Sequence, residues 1–242
     1  MKTVIIIGAS GAIGKEMVKS FYKKGYNVFA GFNNNKSELE GLLKTLTEKK
    51  NRIVFEGVDL TDEKSIASFF AKFKSVFGVC DCLVNCAGVS YPNLLIDVKF
   101  EQLLNEINVN LVGTILACKS SIDCFGDNGG SIVNMASIWG VCGGAFESTY
   151  SATKGGIIAF SKALAKEIGS KKIRVNTISP GLIKSPMNAH LTKFDYASVK
   201  HESPLNRLVS AKEVADCALF LASDGAKNIT GQNITIDAGF IL

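Results

Sequence analysis

Short apolar runs rich in β-branched residues alternate along the chain with longer segments whose apolar positions repeat at helical spacing. This alternation is typical of parallel strands joined by crossover helices. We therefore predict seven strands in one sheet. The predicted strands are Val4–Ile7, Asn27–Gly31, Ile53–Gly57, Cys82–Asn85, Ser131–Met135, Arg174–Ser179 and Ile234–Asp237.

The segments between these strands have the length and the apolar stripes of crossover helices. Ser37 and Glu40 stand three residues apart at the start of one of them and predict a capping box. The predicted helices are Ile13–Lys24, Ser37–Lys49, Lys64–Val76, Lys99–Cys124, Ser148–Gly169 and Ala211–Ala222.

No linker, internal repeat or charge block divides the chain, so we expect residues 1–242 to form a single α/β domain. Pro186–Pro204 is polar and contains both histidines, His190 and His201. We predict a mobile segment here, at about residues 186–206, that covers a site. The histidines lack paired carboxylates, so neither a metal site nor a Ser-His triad is expected.

Composition narrows the class of protein. Of 242 residues, 47% are hydrophobic and 20% are charged, which suits one large core. The net charge of +5 comes from basic residues interleaved with acidic ones, so nucleic acid is not an expected partner. The start of the chain lacks signal-peptide features and no apolar run is long enough to span a bilayer, so we expect a cytoplasmic protein without a membrane partner.

The seven cysteines form no paired CxxC ladder. Cys80, Cys82 and Cys86 fall on or beside a predicted buried strand, where cysteine behaves as a small apolar residue. We interpret the cysteines as structural thiols in a reducing compartment.

A glycine-rich turn follows the first predicted strand, with Gly8, Gly11 and Gly14 around Ser10 and Ile13. Such spacing permits a tight turn, close approach of a pyrophosphate and close packing of helix on strand. The helix N-terminus also attracts anions. The pattern predicts a dinucleotide site in a Rossmann-like, doubly wound sheet, although a plain tight turn has the same spacing.

The expected partner of the adenosine ribose lies about twenty residues further on. There Asn33, Asn34 and Lys36 stand where NAD-binding proteins carry a carboxylate, which favours NADP(H) over NAD(H), unless the segment is only a solvated turn. Asp59, followed by Leu60, ends another strand and is predicted either to bind the adenine or to cap the next helix.

Tyr150 and Lys154 are four residues apart in a predicted helix, so both lie on one face. A phenol has a pKa of about 10, and a nearby ammonium is expected to lower it. Ser137 ends a predicted strand thirteen residues before Tyr150, and Asn110 precedes both.

These motifs, in this order, resemble the short-chain dehydrogenase/reductase family over essentially the whole chain. The resemblance implies that Tyr150 donates a proton, that Lys154 holds the nicotinamide ribose and lowers the pKa of the tyrosine, that Ser137 orients the substrate carbonyl, and that Asn110 anchors a relay water. It further implies a homotetramer. Asn85, Ala87 and Gly88 would line the adenosine ribose or stabilise the central sheet, and Pro180, Gly181, Ile183 and Ser185 would hold the nicotinamide.

The chain departs from the family at Ala12, where the middle glycine of the turn is usual, and Gly11 lacks the basic side chain of many NADP(H)-dependent relatives. Pro204–Arg207 resembles the bacterial 3-oxoacyl-(acyl carrier protein) reductase subfamily. This implies a thioester substrate and a carrier-protein partner. An acidic carrier would need basic residues near the entrance to the site. Lys166, Lys171 and Lys172 are candidates for this patch, although solvated lysines at a helix end have the same appearance.

Three alternatives stay open. Phe146 would suit an acyl chain, whereas Glu147 would suit a polar substrate such as a sugar or polyol, and steroids or other secondary alcohols fit the same chemistry. Trp139 and Cys142 lie in the same variable loop, and simple packing of the loop is at least as good an interpretation for all four residues. A scaffold or sensor that binds the cofactor without turnover is the alternative of another class.

Overall fold

The computed structural model describes residues 1–46 and 52–241. Its seven strands form one parallel sheet in the order β3-β2-β1-β4-β5-β6-β7, which confirms the predicted doubly wound α/β fold. The strands are β1 Thr3–Ile7, β2 Asn27–Phe32, β3 Ile53–Gly57, β4 Cys82–Asn85, β5 Gly130–Met135, β6 Ile173–Pro180 and β7 Asn233–Ile236.

The strand order reverses between β1 and β4, which are neighbours in the sheet. In doubly wound folds a crevice opens at the carboxyl ends of the strands beside this reversal. Every residue of β1 is buried, as a central strand covered on both faces requires.

Helices cover both faces. One face packs Ile6 and Ala30 against helices that include Met17, and the other packs Ile5 and Phe29 against Phe69. The helices are α1 Ala12–Lys23, α2 Lys36–Leu43, α3 Glu63–Phe77, α4 Phe100–Ile107, α5 Gly113–Ser121, α6 Trp139–Cys142, α7 Ser148–Glu167, α8 Lys193–Glu202 and α9 Ala211–Leu221.

The predicted capping box at Ser37 is wrong. Helix α2 begins at Lys36, so Ser37 already lies inside it, and the residue before the helix, Asn35, makes no capping hydrogen bond with its side chain. The predicted end of this helix at Lys49 lies outside the described residues. Capping boxes occur instead at the start of α8, from Thr192, and of α9, from Ser210.

The long helix predicted over Lys99–Cys124 is interrupted. A π-helical turn over Asn108–Val112 separates α4 from α5, and a 3₁₀ turn follows α5. Thr114 donates to the carbonyl of Asn110 inside this wider turn. Because π turns often occur at functional sites, this turn is consistent with a functional position at Asn110.

All seven cysteines are free thiols. Cys80, Cys82, Cys118 and Cys124 are buried, whereas Cys142 is exposed. Burial raises the pKa of Cys118 to about 12, so this thiol stays protonated near neutral pH. In residues 1–46 and 52–241, no helix has the length and apolar character needed to cross a membrane.

Candidate active site

The glycine turn joins β1 to α1 in a space that admits no side chain at two positions. Gly8 has a φ of +83°, and a Cβ there would lie 2.4 Å from the backbone nitrogen of Ala87. A Cβ on Gly14 would lie 2.1 Å from the carbonyl oxygen of Gly8, whereas one on Gly11 would lie 3.5 Å from that same oxygen. Gly8 and Gly14 are therefore needed by the fold itself, and Gly11 is not.

We expect Gly14→Ala to lower the free energy of unfolding by about 3 kcal/mol, since the added methyl group collides with backbone atoms that cannot turn aside. Gly11→Ala is the matched control and should change stability by less than about 0.5 kcal/mol. Urea unfolding of both variants measures the difference. Equal destabilisation by the two substitutions would contradict this account of the turn.

A cavity of about 1380 Å³ runs from this turn along the carboxyl ends of the strands. It contains most of the residues predicted to bind cofactor or substrate. Those that line it are Gly8, Ser10, Gly11, Ile13, Gly14, Asn33, Asn34, Asp59, Leu60, Ala87, Gly88, Ser137, Tyr150, Lys154, Pro180, Gly181, Ile183 and Ser185.

Lys36 does not line the cavity. Its ammonium lies 3.5 Å from the carboxylate of Glu40, one turn further along α2. The cavity wall at this end contains Lys15 and Glu38 instead, and the two form an ion pair with an N–O distance of 2.6 Å. Neither Lys15 nor Glu38 was predicted from the sequence to bind the cofactor. The signal for Lys15 was its position directly after the last glycine of the turn.

Asn85 lies behind the cavity wall, among buried polar groups. Its amide donates to Oδ1 of Asn134 at 2.8 Å and to Sγ of Cys118 at 3.3 Å. Asn134 in turn donates to the hydroxyl of Ser161 at 2.9 Å. Of the two interpretations of Asn85, stabilisation of the central sheet is therefore the one that its side-chain contacts favour.

Asp59 does line the cavity, but it does not cap the next helix. Its carboxylate accepts hydrogen bonds from the backbone and the hydroxyl of Thr61. The cap of α3 is Asp62, which accepts from the backbone nitrogens of Lys64 and Ser65. The capping alternative for Asp59 was therefore wrong.

Tyr150 and Lys154 lie on one face of α7, as predicted, and the ammonium of Lys154 is 5.4 Å from the centre of the tyrosine ring. Lys154 donates to the carbonyl oxygen of Met135, the last residue of β5, at 2.9 Å. Ser137 follows that strand, and its hydroxyl is hydrogen-bonded to Tyr150. The end of β5 thus brings all three side chains together.

The pKa of Tyr150 departs from its ordinary value in the direction opposite to the prediction. Burial raises the pKa of this phenol, the carboxylates of Glu147 and Glu106 raise it further, and only the hydrogen bond to Ser137 lowers it. Lys154 is itself buried, and burial lowers its pKa to about 8, so it is still mostly protonated at pH 7. Its charge does not outweigh the burial of the phenol, whose pKa stays raised. The phenol of Tyr150 therefore keeps its proton at physiological pH.

Asn110 is fully buried and does not line the cavity. Its Oδ1 accepts from the backbone nitrogen of Val89 at 2.8 Å, and its Nδ2 donates to the carbonyl of Val89 at 2.8 Å and to Oγ1 of Thr153 at 3.2 Å. Its side chain therefore joins the loop after β4 to α7, close to Lys154.

Glu106 is a buried carboxylate near the site that the sequence analysis missed. It accepts hydrogen bonds from the hydroxyl of Thr149, the neighbour of Tyr150, and from the backbone nitrogen of Tyr91 at 3.3 Å. Its position four residues before Asn110, on the same face of the helical segment, is the signal that could have revealed it.

The end of the cavity near Tyr150 is part polar and part apolar. Glu147 accepts from the hydroxyl of Ser90 at 2.7 Å, and Phe146 lies beside it with a φ of +63°. The predicted covering segment holds a 3₁₀ turn, Pro186–Asn188, and helix α8. Met187 and Leu191 from this segment line the cavity.

The lysines proposed for carrier recognition lie elsewhere. Lys171 and Lys172 come directly before β6, whereas the cavity is reached at the opposite end of that strand, at Pro180. Eight residues of strand span about 25 Å. The lysines at this end of α7 are therefore not at the cavity entrance, and their interpretation as an entrance patch was wrong.

The family profile described as "Enoyl-(Acyl carrier protein) reductase" matches residues 8–241. The chain belongs to the short-chain dehydrogenase/reductase family, whose members are oxidoreductases that act on CH–OH groups with a nicotinamide cofactor.

Several of the similar proteins are named 3-oxoacyl-[acyl-carrier-protein] reductase. The one from Mus musculus is 35% identical over 100% of this chain and 98% of its own length. The enzyme of Chlamydia trachomatis, named with the suffix FabG, is 37% identical over 98% of this chain and 96% of its own. A solved structure titled short-chain dehydrogenase/reductase, glucose/ribitol dehydrogenase, from Brucella melitensis has a TM-score of 0.94 at 28% identity and covers 100% of this chain and 97% of that one.

The residues of the cavity fit a nicotinamide dinucleotide. The clearance at Gly11 leaves its backbone free to approach a pyrophosphate, and the start of α1 faces the same space. At the far end Gly88 packs near Lys154, where a Cβ would lie 3.4 Å from the ammonium. The cavity thus offers an anion site at one end and proton-donating groups at the other.

Proposed function

We propose that the protein is an NADP(H)-dependent reductase of 3-oxoacyl thioesters. The observation that carries the proposal is the meeting of Ser137, Tyr150 and Lys154 in one cavity with the glycine turn. The similarity to 3-oxoacyl-[acyl-carrier-protein] reductases over nearly the full chain supports the substrate.

In this proposal the bound nicotinamide supplies the hydride that reduces the substrate carbonyl. Tyr150 donates its phenolic proton to the carbonyl oxygen as negative charge develops there, and the raised pKa keeps the proton available. Ser137 donates a hydrogen bond that orients the same oxygen. In the reverse direction Tyr150 takes the proton back.

Lys154 holds the nicotinamide ribose and stabilises charge next to Tyr150, because its ammonium lies beside the tyrosine ring. Asn110 acts as a positioning residue in this scheme. Both polar atoms of its side chain are engaged with Val89 and Thr153, so its amide fixes the loop and the helix around Lys154. The backbone of the π turn is the part left to anchor a relay water.

The proposal of NADP(H) over NAD(H) is supported by Asn33 and Asn34 in the cavity wall, since their amides can donate to a phosphate. The thioester substrate is supported by the apolar side chains of Phe146, Met187 and Leu191 at the other end. The carboxylate of Glu147 favours a second candidate, reduction of a polar ketone related to a sugar or polyol.

We also propose a cytoplasmic homotetramer. The free thiols support a reducing compartment. Exposed apolar side chains between residues 94 and 112 support contact between subunits. They are Leu94, Leu95, Ile96, Phe100, Leu104 and Val112. Recognition of an acyl carrier protein is part of the proposal, through a surface other than the lysines at the end of α7.

The test is the oxidation of NADPH and of NADH, followed by absorbance, with acetoacetyl-CoA, an enoyl-CoA, ribulose and simple ketones. We expect oxidation of NADPH with acetoacetyl-CoA to be the fastest. Faster turnover of ribulose would support the polar-substrate candidate, and faster turnover of the enoyl thioester would replace carbonyl reduction by reduction of a carbon–carbon double bond. No turnover with either cofactor would indicate a binding protein.

A further inference from the structure

The ion pair of Lys15 and Glu38 closes one end of the cavity. The ammonium of Lys15 lies 2.6 Å from Oε2 of Glu38, and both side chains line the cavity together with Asn33 and Asn34. The pair is partly exposed, with 32% of the Lys15 side chain and 54% of the Glu38 side chain accessible. A ligand that enters this end can therefore reach both charges.

Lys15 is the basic side chain that lines this end of the cavity. Among the described residues that line the cavity, the only lysines or arginines are Lys15 and Lys154, and Lys154 lies at the catalytic end. Lys36, which the sequence places next to the asparagines, lies outside the wall and pairs with Glu40. Of the described lysines and arginines, Lys15 is therefore the one whose side chain lines the wall at the Asn33 end.

Glu38 changes the chemistry of this end. The ammonium of Lys15 holds the pKa of the Glu38 carboxyl below its usual range, so the carboxylate is ionised at neutral pH. An arriving phosphate would be attracted by Lys15 and repelled by Glu38. A ribose with free hydroxyls would instead find an acceptor in Glu38. The two side chains thus act in opposite directions on the choice between the two cofactors.

We propose that Lys15 is the cation that binds the 2′-phosphate of the cofactor, and that Glu38 is its counter-ion and weakens this binding. Lys15 and Glu38 are then specificity-determining residues at the adenosine end. The inference rests on the proposed preference for NADP(H), and it assigns that preference to a residue outside the loop that follows β2.

Calorimetric titration with two small probes tests this without turnover. Adenosine 2′,5′-bisphosphate carries the 2′-phosphate, and 5′-AMP is the same molecule without it. We expect Lys15→Met to weaken binding of the bisphosphate about tenfold, as for loss of one charge-assisted hydrogen bond, and to leave 5′-AMP within about twofold. Lys15→Arg should retain the preference. Glu38→Gln should tighten binding of the bisphosphate about threefold.

Lys19→Met is the matched control. Lys19 lies on the same helix and forms an ion pair with Glu16 at 2.7 Å, but it does not line the cavity. We expect this variant to bind the bisphosphate and 5′-AMP with the same ratio of dissociation constants as the wild-type protein. An equal loss in Lys19→Met would show that only the net charge of the helix matters and would overturn the role of Lys15.

The other outcomes separate the inference from the function on which it rests. If the wild-type protein binds both probes equally, the proposed preference for NADP(H) fails. If the wild-type protein prefers the bisphosphate and Lys15→Met keeps that preference, only the role of Lys15 fails. Equal weakening of both probes by Lys15→Met would show that Lys15 supports the turn, and this also overturns its assignment to the 2′-phosphate.

Discussion

Tyr150→Phe is expected to lower kcat of carbonyl reduction by about 10²- to 10⁴-fold, the usual contribution of a positioned general acid. The substitution removes the phenolic proton and leaves the ring beside Lys154 in place. Binding of the nicotinamide cofactor should therefore change little. Steady-state kinetics together with titration of the cofactor separates these two effects.

Tyr91→Phe is the control, because Tyr91 also lines the cavity and its hydroxyl accepts a hydrogen bond from Asn105. This variant should retain most of the activity, since its phenol is not the proton donor. Full activity in Tyr150→Phe would refute the proposed mechanism. A comparable loss in both variants would mean that the cavity tolerates no change and that Tyr150 has no special role.

Lys154→Met is expected to lower activity by about 10²- to 10³-fold and yet to stabilise the fold at pH 7. Burial lowers the pKa of Lys154 from 10.5 to about 8, so the folded protein must hold a charge that burial disfavours. That shift corresponds to about 3 kcal/mol of lost stability at pH 7. Removal of the buried charge therefore stabilises the fold by that amount, and loss of the hydrogen bond to Met135 offsets about 1 kcal/mol of this gain. We expect the free energy of unfolding to rise by about 2 kcal/mol.

The pH dependence gives the sign of this effect. Below pH 8 the lysine is protonated in both folded and unfolded chains, and the cost is present in full. Between pH 8 and 10.5 the unfolded chain binds more protons, so the stability of the wild-type protein rises relative to that of Lys154→Met. Urea unfolding at pH 7 and pH 9.5 measures the narrowing gap. Lys162→Met, at an exposed position on the same helix, should show neither effect.

A variant that is less stable than the wild-type protein at both pH values would mean that Lys154 supports the fold through Met135 and that its burial costs little. The stability measurement thus stands apart from the activity measurement. If activity falls as predicted but stability does not rise, the catalytic role of Lys154 is supported and the predicted cost of its buried charge is wrong.

The strands could be predicted from the sequence because most of them are short runs rich in apolar and β-branched residues. The run at β1, for example, is buried on both faces. The glycine turn and the Tyr150–Lys154 pair could also be predicted, because both depend on residues that are close together along the chain. Periodicity and spacing report local geometry well.

What the sequence did not reveal depends on contacts between distant segments. The π turn around Asn110 is accompanied by side-chain contacts to Val89 and Thr153, which lie on other elements. The ion pair of Lys15 joins residues on two helices. The raised pKa of Tyr150 results mainly from its burial. Burial depends on segments that are distant along the chain, so the four-residue spacing to Lys154 could not predict it.

The uneven burial of the thiols gives this protein a built-in attachment point. Cys142 is exposed at the end of α6, while burial raises the pKa of other thiols such as Cys86 and Cys118 to about 12 and leaves them slow to react. A maleimide dye should therefore couple to the unaltered chain mainly at Cys142. Trp139, a residue of the cavity wall, begins the same short helix, so such a dye would report events in the cavity by a change in its emission.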